Sequence, residues 1–276
     1  MGRPEKNTDA TDGTDAHGSI RGHLSHPSHP CSLLQCLGLV RDAALALLYP
    51  TGCRTCGAVV ESWRDGVACA ACWLEVERGA GEARPCLGCA LPLAAGTNDA
   101  RRCGRCDHFA FARARSCGPY SGALRESVLW LKSRPQLSPR LRARLCGARA
   151  GLPAEVIVPV PLHPERLAER GFNQAEVIAR ALAAEGGPAV AAVCLARVTA
   201  SARHRAGQGA AERARSLEGA FHVRAQRLIA GRTVLLVDDV LTTGATAHEA
   251  ARALLAGGAR EVSVLTLARA ASELSP

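Results

Sequence analysis

Short apolar runs alternate with amphipathic stretches along the carboxyl-terminal half of the chain. Apolar runs predict buried strands at 156–160, 189–195, 233–237 and 261–267. Apolar positions at helical spacing predict helices at 122–132, 174–185 and 247–256. Strands that alternate with helices pair in parallel through right-handed crossovers. The pattern therefore predicts an α/β domain over residues 111–276, with a parallel sheet flanked by helices.

The amino-terminal stretch shows neither strand periodicity nor a long amphipathic pattern. Residues 1–30 are polar and hold four of the nine histidines, a composition that predicts a disordered tail. Residues 31–50 predict a helix with apolar side chains on more than one face. The chain has no run of eighteen apolar residues and no apolar core of the signal-peptide kind. We therefore expect no membrane insertion and a cytoplasmic location.

The spacing of the cysteines distinguishes residues 51–110 from the rest of the chain. Eight of the thirteen cysteines form four Cys-x-x-Cys pairs, separated by 12, 13 and 13 residues. The pairs are Cys53/Cys56, Cys69/Cys72, Cys86/Cys89 and Cys103/Cys106. Two such pairs complete a tetrahedral site of four thiolates, which leaves no open position for chemistry. The spacing predicts a double zinc-ribbon module with two structural Zn²⁺ ions.

Two points about the cysteines stay open at this stage. Sequential pairing, first pair with second and third with fourth, is preferred over an interleaved arrangement. Redox or free thiols are the alternative to zinc, but disulfides are not the natural state of a chain without an export signal.

The segment 234–246, VLLVDDVLTTGAT, carries the clearest chemistry. An apolar strand leads into Asp238 and Asp239, and a small hydroxyl-rich loop then opens a helix. Backbone N–H groups of such a loop and the following helix N-terminus bind phosphate. The two carboxylates stand where they can accept hydrogen bonds from sugar hydroxyls. The segment thus suggests a site for a ribose 5-phosphate group; the plainer alternative is a strand-loop-helix with a capping threonine.

At these residues the chain resembles the type I phosphoribosyltransferases, whose phosphoribosyl pyrophosphate (PRPP) motif VLLVDDVLTTGAT matches. The upstream segment IVPVPLHPERLAERGFNQAEVIARAL is similar to the ComF family, also called ComFC or competence-protein-F-like. With the four Cys-x-x-Cys pairs, the similarity runs over residues 47–269. It implies a zinc module ahead of a type I phosphoribosyltransferase domain.

The resemblance also implies a set of ligand-binding residues. Asp238 and Asp239 would bind the ribose hydroxyls and, with Lys132, act in catalysis. The 5-phosphate would lie on Thr242, Thr243, Gly244, Ala245 and Thr246. Pyrophosphate and Mg²⁺ would lie against Val160, Pro161, Leu162 and His163, with Lys132 or Arg166 assisting.

The chain departs from the family pattern in two places. Lys132 is followed by Ser133, Arg134 and Pro135, where the family has an aromatic residue and a glycine. Between 197 and 221, in the expected mobile loop, Arg205, Gln208 and Ser216 replace the family's Gln, Leu and Asn. We expect these changes to affect catalysis or acceptor choice more than PRPP binding, because the PRPP motif is intact.

The formal charge of +9 is concentrated at residues 113–149, which hold nine basic residues and one acid. Such a segment is either a solvated basic face or a groove for PRPP or single-stranded DNA. Tyr120 and Trp130 are its only aromatics for stacking, which gives base stacking little support. Two hypotheses follow. The chain is a phosphoribosyltransferase with an unknown acceptor, associated with DNA uptake, or a non-catalytic protein that binds single-stranded DNA or competence-machinery proteins.

Overall fold

The computed structural model describes residues 50–82, 84–93, 102–198 and 217–270. The predicted tail at 1–30 and all but the last residue of the predicted helix at 31–50 lie outside the described residues. The same holds for residues 199–216, which include most of the loop where the family pattern changes.

The cysteine-rich part comes first in the described chain. It contains helix α1 (Ala70–Glu82) and a short antiparallel pair, β1 (Arg84–Pro85) with β2 (Pro92–Leu93). A single 3-10 turn at Trp63–Asp65 lies between the first two cysteine pairs, and another at Gly104–Cys106 forms part of the fourth pair. This sparse secondary structure is typical of a module held together by metal ligands.

Strands and helices then alternate. In chain order they are β3 (Arg113–Ser116), α2 (Gly122–Leu131), α3 (Pro139–Arg149), β4 (Val156–Pro159), α4 (Pro164–Arg170), α5 (Gln174–Ala184), β5 (Leu195–Arg197), β6 (Phe221–Val223), a 3-10 turn at Gln226–Leu228, β7 (Thr233–Leu241), α6 (Ala245–Ala256) and β8 (Glu261–Arg269).

A four-stranded parallel sheet of order β3-β8-β7-β4 forms the centre of the molecule. Alternate residues of β7 point to opposite faces. Leu235 and Val237 pack with α2, α3 and α5, whereas Val234 and Leu236 pack with α6 and the β5–β6 pair. Layers therefore cover both faces of the sheet, as the predicted α/β class requires.

One predicted strand needs correction. The strand expected at 189–195 is wrong: Val190 makes one parallel bridge to Ile157, and the chain then turns, with Cys194 N donating to Ala191 O at 3.1 Å. The strand lies at Leu195–Arg197 instead and pairs antiparallel with Phe221–Val223. Ala191, Cys194 and Leu195 of the apolar run are buried while Val193 is exposed, so the apolar composition of the run alone indicated a strand.

The basic segment 113–149 contains more structure than the one predicted helix. Strand β3 lies at the edge of the sheet, and Ala114 is its fully buried residue. Helix α3 begins after Ser138, whose hydroxyl accepts from Leu141 N at 3.3 Å. Over the described residues, no helix combines the length and apolar character needed to cross a bilayer.

Candidate functional site

The candidate site lies where β4 and β7 end, side by side in the sheet. Val160 N donates to Val237 O at 2.9 Å, so the loop after β4 starts next to the residue before Asp238. Asn173 Nδ2 holds the same loop by donating to Val160 O at 3.0 Å. Ligands of open parallel sheets bind beyond the carboxyl ends of the strands. The two segments proposed for pyrophosphate and ribose are therefore neighbours.

Strand β7 continues through both aspartates to Leu241, rather than ending before them. Each carboxylate accepts a backbone N–H from the next residue: Asp238 Oδ1 from Asp239 N at 2.8 Å, and Asp239 Oδ1 from Val240 N at 2.7 Å. These bonds fix both side chains at the strand end.

Asp239 is the more enclosed of the two carboxylates, with 8% of its surface exposed. Its Oδ2 accepts from Gln174 Nε2 at 3.2 Å and lies 3.9 Å from Lys132 Nζ. Lys132 caps the carboxyl end of α2, and Gln174 lies in the first turn of α5. Two helices thus deliver a cation and an amide to one carboxylate.

The immediate surroundings of Asp238 shift the pKa of its carboxyl group. Burial, followed by the neighbouring charge of Asp239, raises the pKa of Asp238 well above its ordinary value. A carboxyl group in such a place gains from hydroxyl donors or cations that a ligand brings.

Further basic side chains surround the pair. Arg170 Nη1 donates to Gln174 Oε1 at 2.6 Å. Burial, then the charge of Arg166, lowers the pKa of Arg197, while Asp238 opposes this shift. Arg197 Nε is buried and has no hydrogen-bond partner among the described residues. The site therefore offers positive charge beside the carboxylates, which suits a polyanion.

The loop after β7 has the form expected of a phosphate cradle. Gly244 has φ of 86° and precedes α6, and Thr243 Oγ1 accepts from Ala245 N at 3.4 Å. Thr242 is exposed, whereas Thr243, Ala245 and Thr246 are half-buried. A Cβ on Gly244 would lie 2.6 Å from Phe109 Cζ, so both the left-handed backbone and the available space require glycine here.

The structure brings the sequence-predicted residues together at this edge of the sheet. Lys132 reaches Asp239, and the loop of Val160, Pro161, Leu162 and His163 lies beside β7. His163 Nδ1 caps α4 by accepting from Glu165 N at 3.4 Å, and Arg166 lies on that exposed helix. Sequence reasoning missed Asn173, Gln174, Arg197 and Arg269 as site residues. The first two stand in the quoted RGFNQA segment, which was the available signal for them.

The eight paired cysteines form two clusters, and the pairs combine sequentially, as preferred from the sequence. In each cluster the four Sγ atoms lie within 4.8 Å of one another. Cross-pair Sγ distances are 3.8 and 3.7 Å in the first cluster (Cys53, Cys56, Cys69, Cys72) and 3.6 and 3.4 Å in the second (Cys86, Cys89, Cys103, Cys106). Sulfurs bound at about 2.3 Å to one tetrahedral zinc lie about 3.8 Å apart, so both donor sets fit Zn²⁺.

Backbone donors favour the thiolate form of one cysteine in each cluster. Cys69 N donates to Cys53 Sγ at 3.3 Å, and Cys103 N donates to Cys86 Sγ at 3.1 Å. Burial raises the pKa of these two thiols, but the backbone N–H groups outweigh it and lower the pKa to about 6 for Cys53 and about 7 for Cys86. Thiolates are the form that binds zinc.

Two family models match the chain. The phosphoribosyl transferase domain matches residues 167–276, and the double zinc ribbon domain matches residues 44–107. The second match contains both cysteine clusters, and the first contains the aspartate pair and residues 242–246, the candidate phosphate loop.

Similar curated proteins share the carboxyl-terminal part. DNA utilization protein YhgH of Salmonella typhi is 40% identical over 121 residues, 43% of this chain and 52% of that protein. Competence protein F of Haemophilus influenzae is 36% identical over 117 residues, 42% of this chain and 51% of that protein. Competence protein ComFC of Bacillus subtilis is 37% identical over 121 residues, 41% of this chain and 44% of that protein. The chain spans about half the length of these relatives.

Among solved structures, the glutamine phosphoribosylpyrophosphate amidotransferase from Bacillus subtilis, complexed with ADP and GMP, is similar with a TM-score of 0.32 and 19% identity. That match covers 49% of this chain and 29% of the amidotransferase chain.

Proposed function

We propose that this ComF-family chain, in which a double zinc ribbon precedes a phosphoribosyl transferase domain, binds PRPP and transfers its phosphoribosyl group to a nucleophilic acceptor. One observation carries the proposal. Asp238 and Asp239 lie near the carboxyl end of β7, ahead of the glycine-containing loop that opens α6 and beside the start of the loop that follows β4. Carboxylates for ribose hydroxyls thus lie close to two loops suited to the two phosphate ends of PRPP.

Each of these elements binds a different group of PRPP. The amides and hydroxyls of residues 242–246 bind the 5-phosphate at the amino terminus of α6. Asp238 and Asp239 accept hydrogen bonds from the ribose hydroxyls. Residues 160–163 bind the pyrophosphate, with Lys132 and Arg166 as the nearby cations.

Mg²⁺ fits the donor chemistry of this site. The ion prefers oxygen ligands and is commonly bound by one or two carboxylates together with substrate phosphates. Asp238 and Asp239 would supply those carboxylates. When bound, Mg²⁺ neutralises charge on the pyrophosphate.

The chain's own residues position the reacting centre. The bond between the anomeric carbon and pyrophosphate breaks, pyrophosphate keeps the electron pair, and a lone pair of the acceptor forms the new bond. The proton of the acceptor leaves with pyrophosphate or passes to water. Asp238 and Asp239 hold the ribose as positive charge develops on it, and Lys132 and Arg166 stabilise the leaving group.

The two ends of PRPP are tested separately. Thr243→Val removes the hydroxyl of the phosphate loop and keeps the shape of the side chain. It is expected to weaken binding of ribose 5-phosphate roughly tenfold, because a hydrogen bond to a charged group is lost. Pyrophosphate affinity, measured by the same calorimetric titration, should stay within about twofold of the parent. Equal losses for both ligands, or no binding of either by the parent, would contradict the assignment of the loops.

A second candidate function has its own observation. A cavity of about 710 Å³ between the first cysteine cluster and helices α2 and α3 is lined by Trp63, Trp130, Arg54 and Arg142. The guanidinium groups of Arg54 and Arg134 lie 5.5 and 4.6 Å from the centre of the Trp130 ring. Trp63 comes from the zinc module, so the aromatic supply is larger than the basic segment alone suggests. Indole rings among arginines suit the bases and phosphates of single-stranded DNA.

Fluorescence titration with a single-stranded oligonucleotide tests this alternative. Trp130→Ala is expected to weaken binding roughly tenfold, since stacking of one base contributes about 1–3 kcal/mol. Affinity should fall as salt rises, and Asp238→Asn should leave it unchanged. If Asp238→Asn abolishes DNA binding and Trp130→Ala does not, the cavity is not the DNA-binding site.

A further inference from the structure

The second cysteine cluster touches the phosphate loop through a buried arginine. Arg269, at the end of β8, has 5% of its surface exposed. Its Nε donates to Cys89 O at 2.9 Å, and its Nη1 donates to Leu241 O at 2.9 Å and to Thr242 O. One side chain thus joins a ligand residue of the cluster to the backbone where the phosphate loop begins.

Two other contacts link the same partners. Phe109 N donates to Cys106 O at 3.2 Å, and the Phe109 ring closes the space next to Gly244. Ala110 N donates to His248 Nδ1 at 3.0 Å, in the first turn of α6. The segment that follows the last cysteine therefore packs on the loop and on the helix that presents the loop.

The charges of Arg269 and of a zinc-loaded second cluster are complementary. Four thiolates around one Zn²⁺ carry a net negative charge, so a metal-loaded cluster is a favourable neighbour for a buried guanidinium. A buried cation requires acceptors for its N–H groups, and the Arg269 Nε and Nη1 groups find them in backbone carbonyls. Loss of the metal would free Cys89 and remove both the charge and the fixed carbonyl.

We propose that Arg269 is a positioning residue that couples the second cysteine cluster to the phosphate loop, so that the metal state of this cluster sets the order of residues 241–246 and their affinity for phosphate. The affinity part rests on the proposed function, whereas the order of the loop does not. Coupling through a shared element is reciprocal, so a ligand on the loop also slows metal loss from this cluster.

Among the described residues, none of these connections involves the first cluster. Cys53, Cys69 and Cys72 pack into the core with Trp73 and Leu124, on the face covered by α2 and α3. Cys86, Cys89 and Cys106 form a separate small cluster, in which Phe109 is a partner. The two metal sites therefore differ in what they support, and the first serves as a control for the second.

Hydrogen–deuterium exchange of the loop without any ligand tests the proposal. Cys103→Ser, with one zinc equivalent lost, and Arg269→Lys are each expected to speed exchange at residues 241–246 roughly tenfold. Cys56→Ser, in the first cluster, and Arg260→Lys should leave the loop within about twofold of the parent. Arg260 is a matched control because it donates to Gly231 O and Glu155 at the opposite end of β7 and β8.

Zinc release into a chromogenic chelator gives the second readout. PRPP with Mg²⁺ is expected to slow release of one zinc equivalent roughly tenfold in the parent and in Arg260→Lys, but not in Arg269→Lys. Unchanged loop exchange in Cys103→Ser, or equal acceleration in Cys56→Ser, would overturn the coupling whether or not Arg269→Lys folds. Failure of the parent to bind PRPP would defeat the proposed function instead, since loop exchange is measured without PRPP.

Discussion

The raised pKa of Asp238 predicts a pH dependence of folding stability. Because burial and Asp239 raise the pKa of Asp238, the folded state binds this proton more tightly than the unfolded state does. Stability therefore falls as pH rises from the ordinary aspartate pKa, about 3.9, towards the raised value. Asp238→Asn removes the effect. Its melting temperature should match the parent's below about pH 3.9 and exceed it near neutral pH, measured by scanning calorimetry.

Asp65 is the control for this prediction. It is also buried, but its Oδ1 accepts from Arg140 Nη1 at 2.8 Å. Asp65→Asn breaks a buried ion pair and should lower the melting temperature near neutral pH. A melting temperature of Asp238→Asn below the parent's near neutral pH would mean that Asp238 is a structural residue.

Gly244 is the residue on which the shape of the phosphate loop depends. An alanine there must adopt a left-handed backbone and displace Phe109. Gly244→Ala should cost about 2–3 kcal/mol of unfolding free energy in urea and weaken PRPP binding more than about tenfold. Gly186, with φ of 81° and open space around it, is the matched control. Gly186→Ala should cost about 1 kcal/mol and leave PRPP affinity unchanged; equal effects of the two variants on PRPP would refute the prediction.

The roles of some site residues could be predicted from the sequence, and those of others could not. The cysteines, Asp238, Asp239 and the threonines stand at short, regular spacings that imply their chemistry. Arg269 contacts Cys89 across 180 positions of the chain, so no local spacing signals that bond. Gln174 bonds Asp239 from 65 positions away, and only the fold brings the two together.

At the scale of the elements, helix α2 positions Lys132 beside Asp239. The helix ends with Lys132 as its cap, and the ammonium group reaches Asp239 at the end of β7. Lys132→Met should weaken PRPP binding roughly tenfold, because a charge near the pyrophosphate is lost. Arg134→Met removes a nearby charge that lies over Trp130 instead. If calorimetry shows the same loss for both variants, Lys132 acts only through the general positive field.

Most elements with a strong apolar pattern were predictable, although the apolar run at 189–195 is a turn, and elements with a mixed pattern were not predictable. The helix predicted at 174–185 has the same first residue as α5 and ends one residue later. Strand β3 reads Arg-Ala-Arg-Ser, and its burial comes from pairing with β8, which a charged local sequence does not reveal. Strand β7 extends past its apolar residues because its pairing with β8 continues to Leu241.

At the scale of the whole molecule, the two cysteine clusters should contribute differently to stability. The first shares the core with α2 and α3, while the second is a small cluster of its own. Cys56→Ser should therefore lower the melting temperature of the whole chain more than Cys89→Ser does, when each has lost one zinc equivalent. Calorimetry with zinc analysis measures this, and the reverse order would contradict the division of the core. Structural zinc contributes directly to folding free energy.

Three features lie together in the whole molecule: the carboxylates of β7, the loop before α6 that we propose binds phosphate, and the second cysteine cluster behind that loop. The fold class and the zinc module were predictable because strand–helix alternation and cysteine spacing are global patterns. The placement of the second cluster against the loop was not, since it depends on tertiary contacts of Phe109 and Arg269.

Calorimetric titration of PRPP with Mg²⁺ into the zinc-loaded chain, beside the Asp238→Asn/Asp239→Asn variant, tests the central claim most directly. The account predicts saturable binding at one site in the parent and an affinity at least roughly a hundredfold lower in the variant, because two charge-assisted hydrogen bonds are lost. Absence of binding by a folded, zinc-loaded parent, or equal binding by the variant, would contradict it.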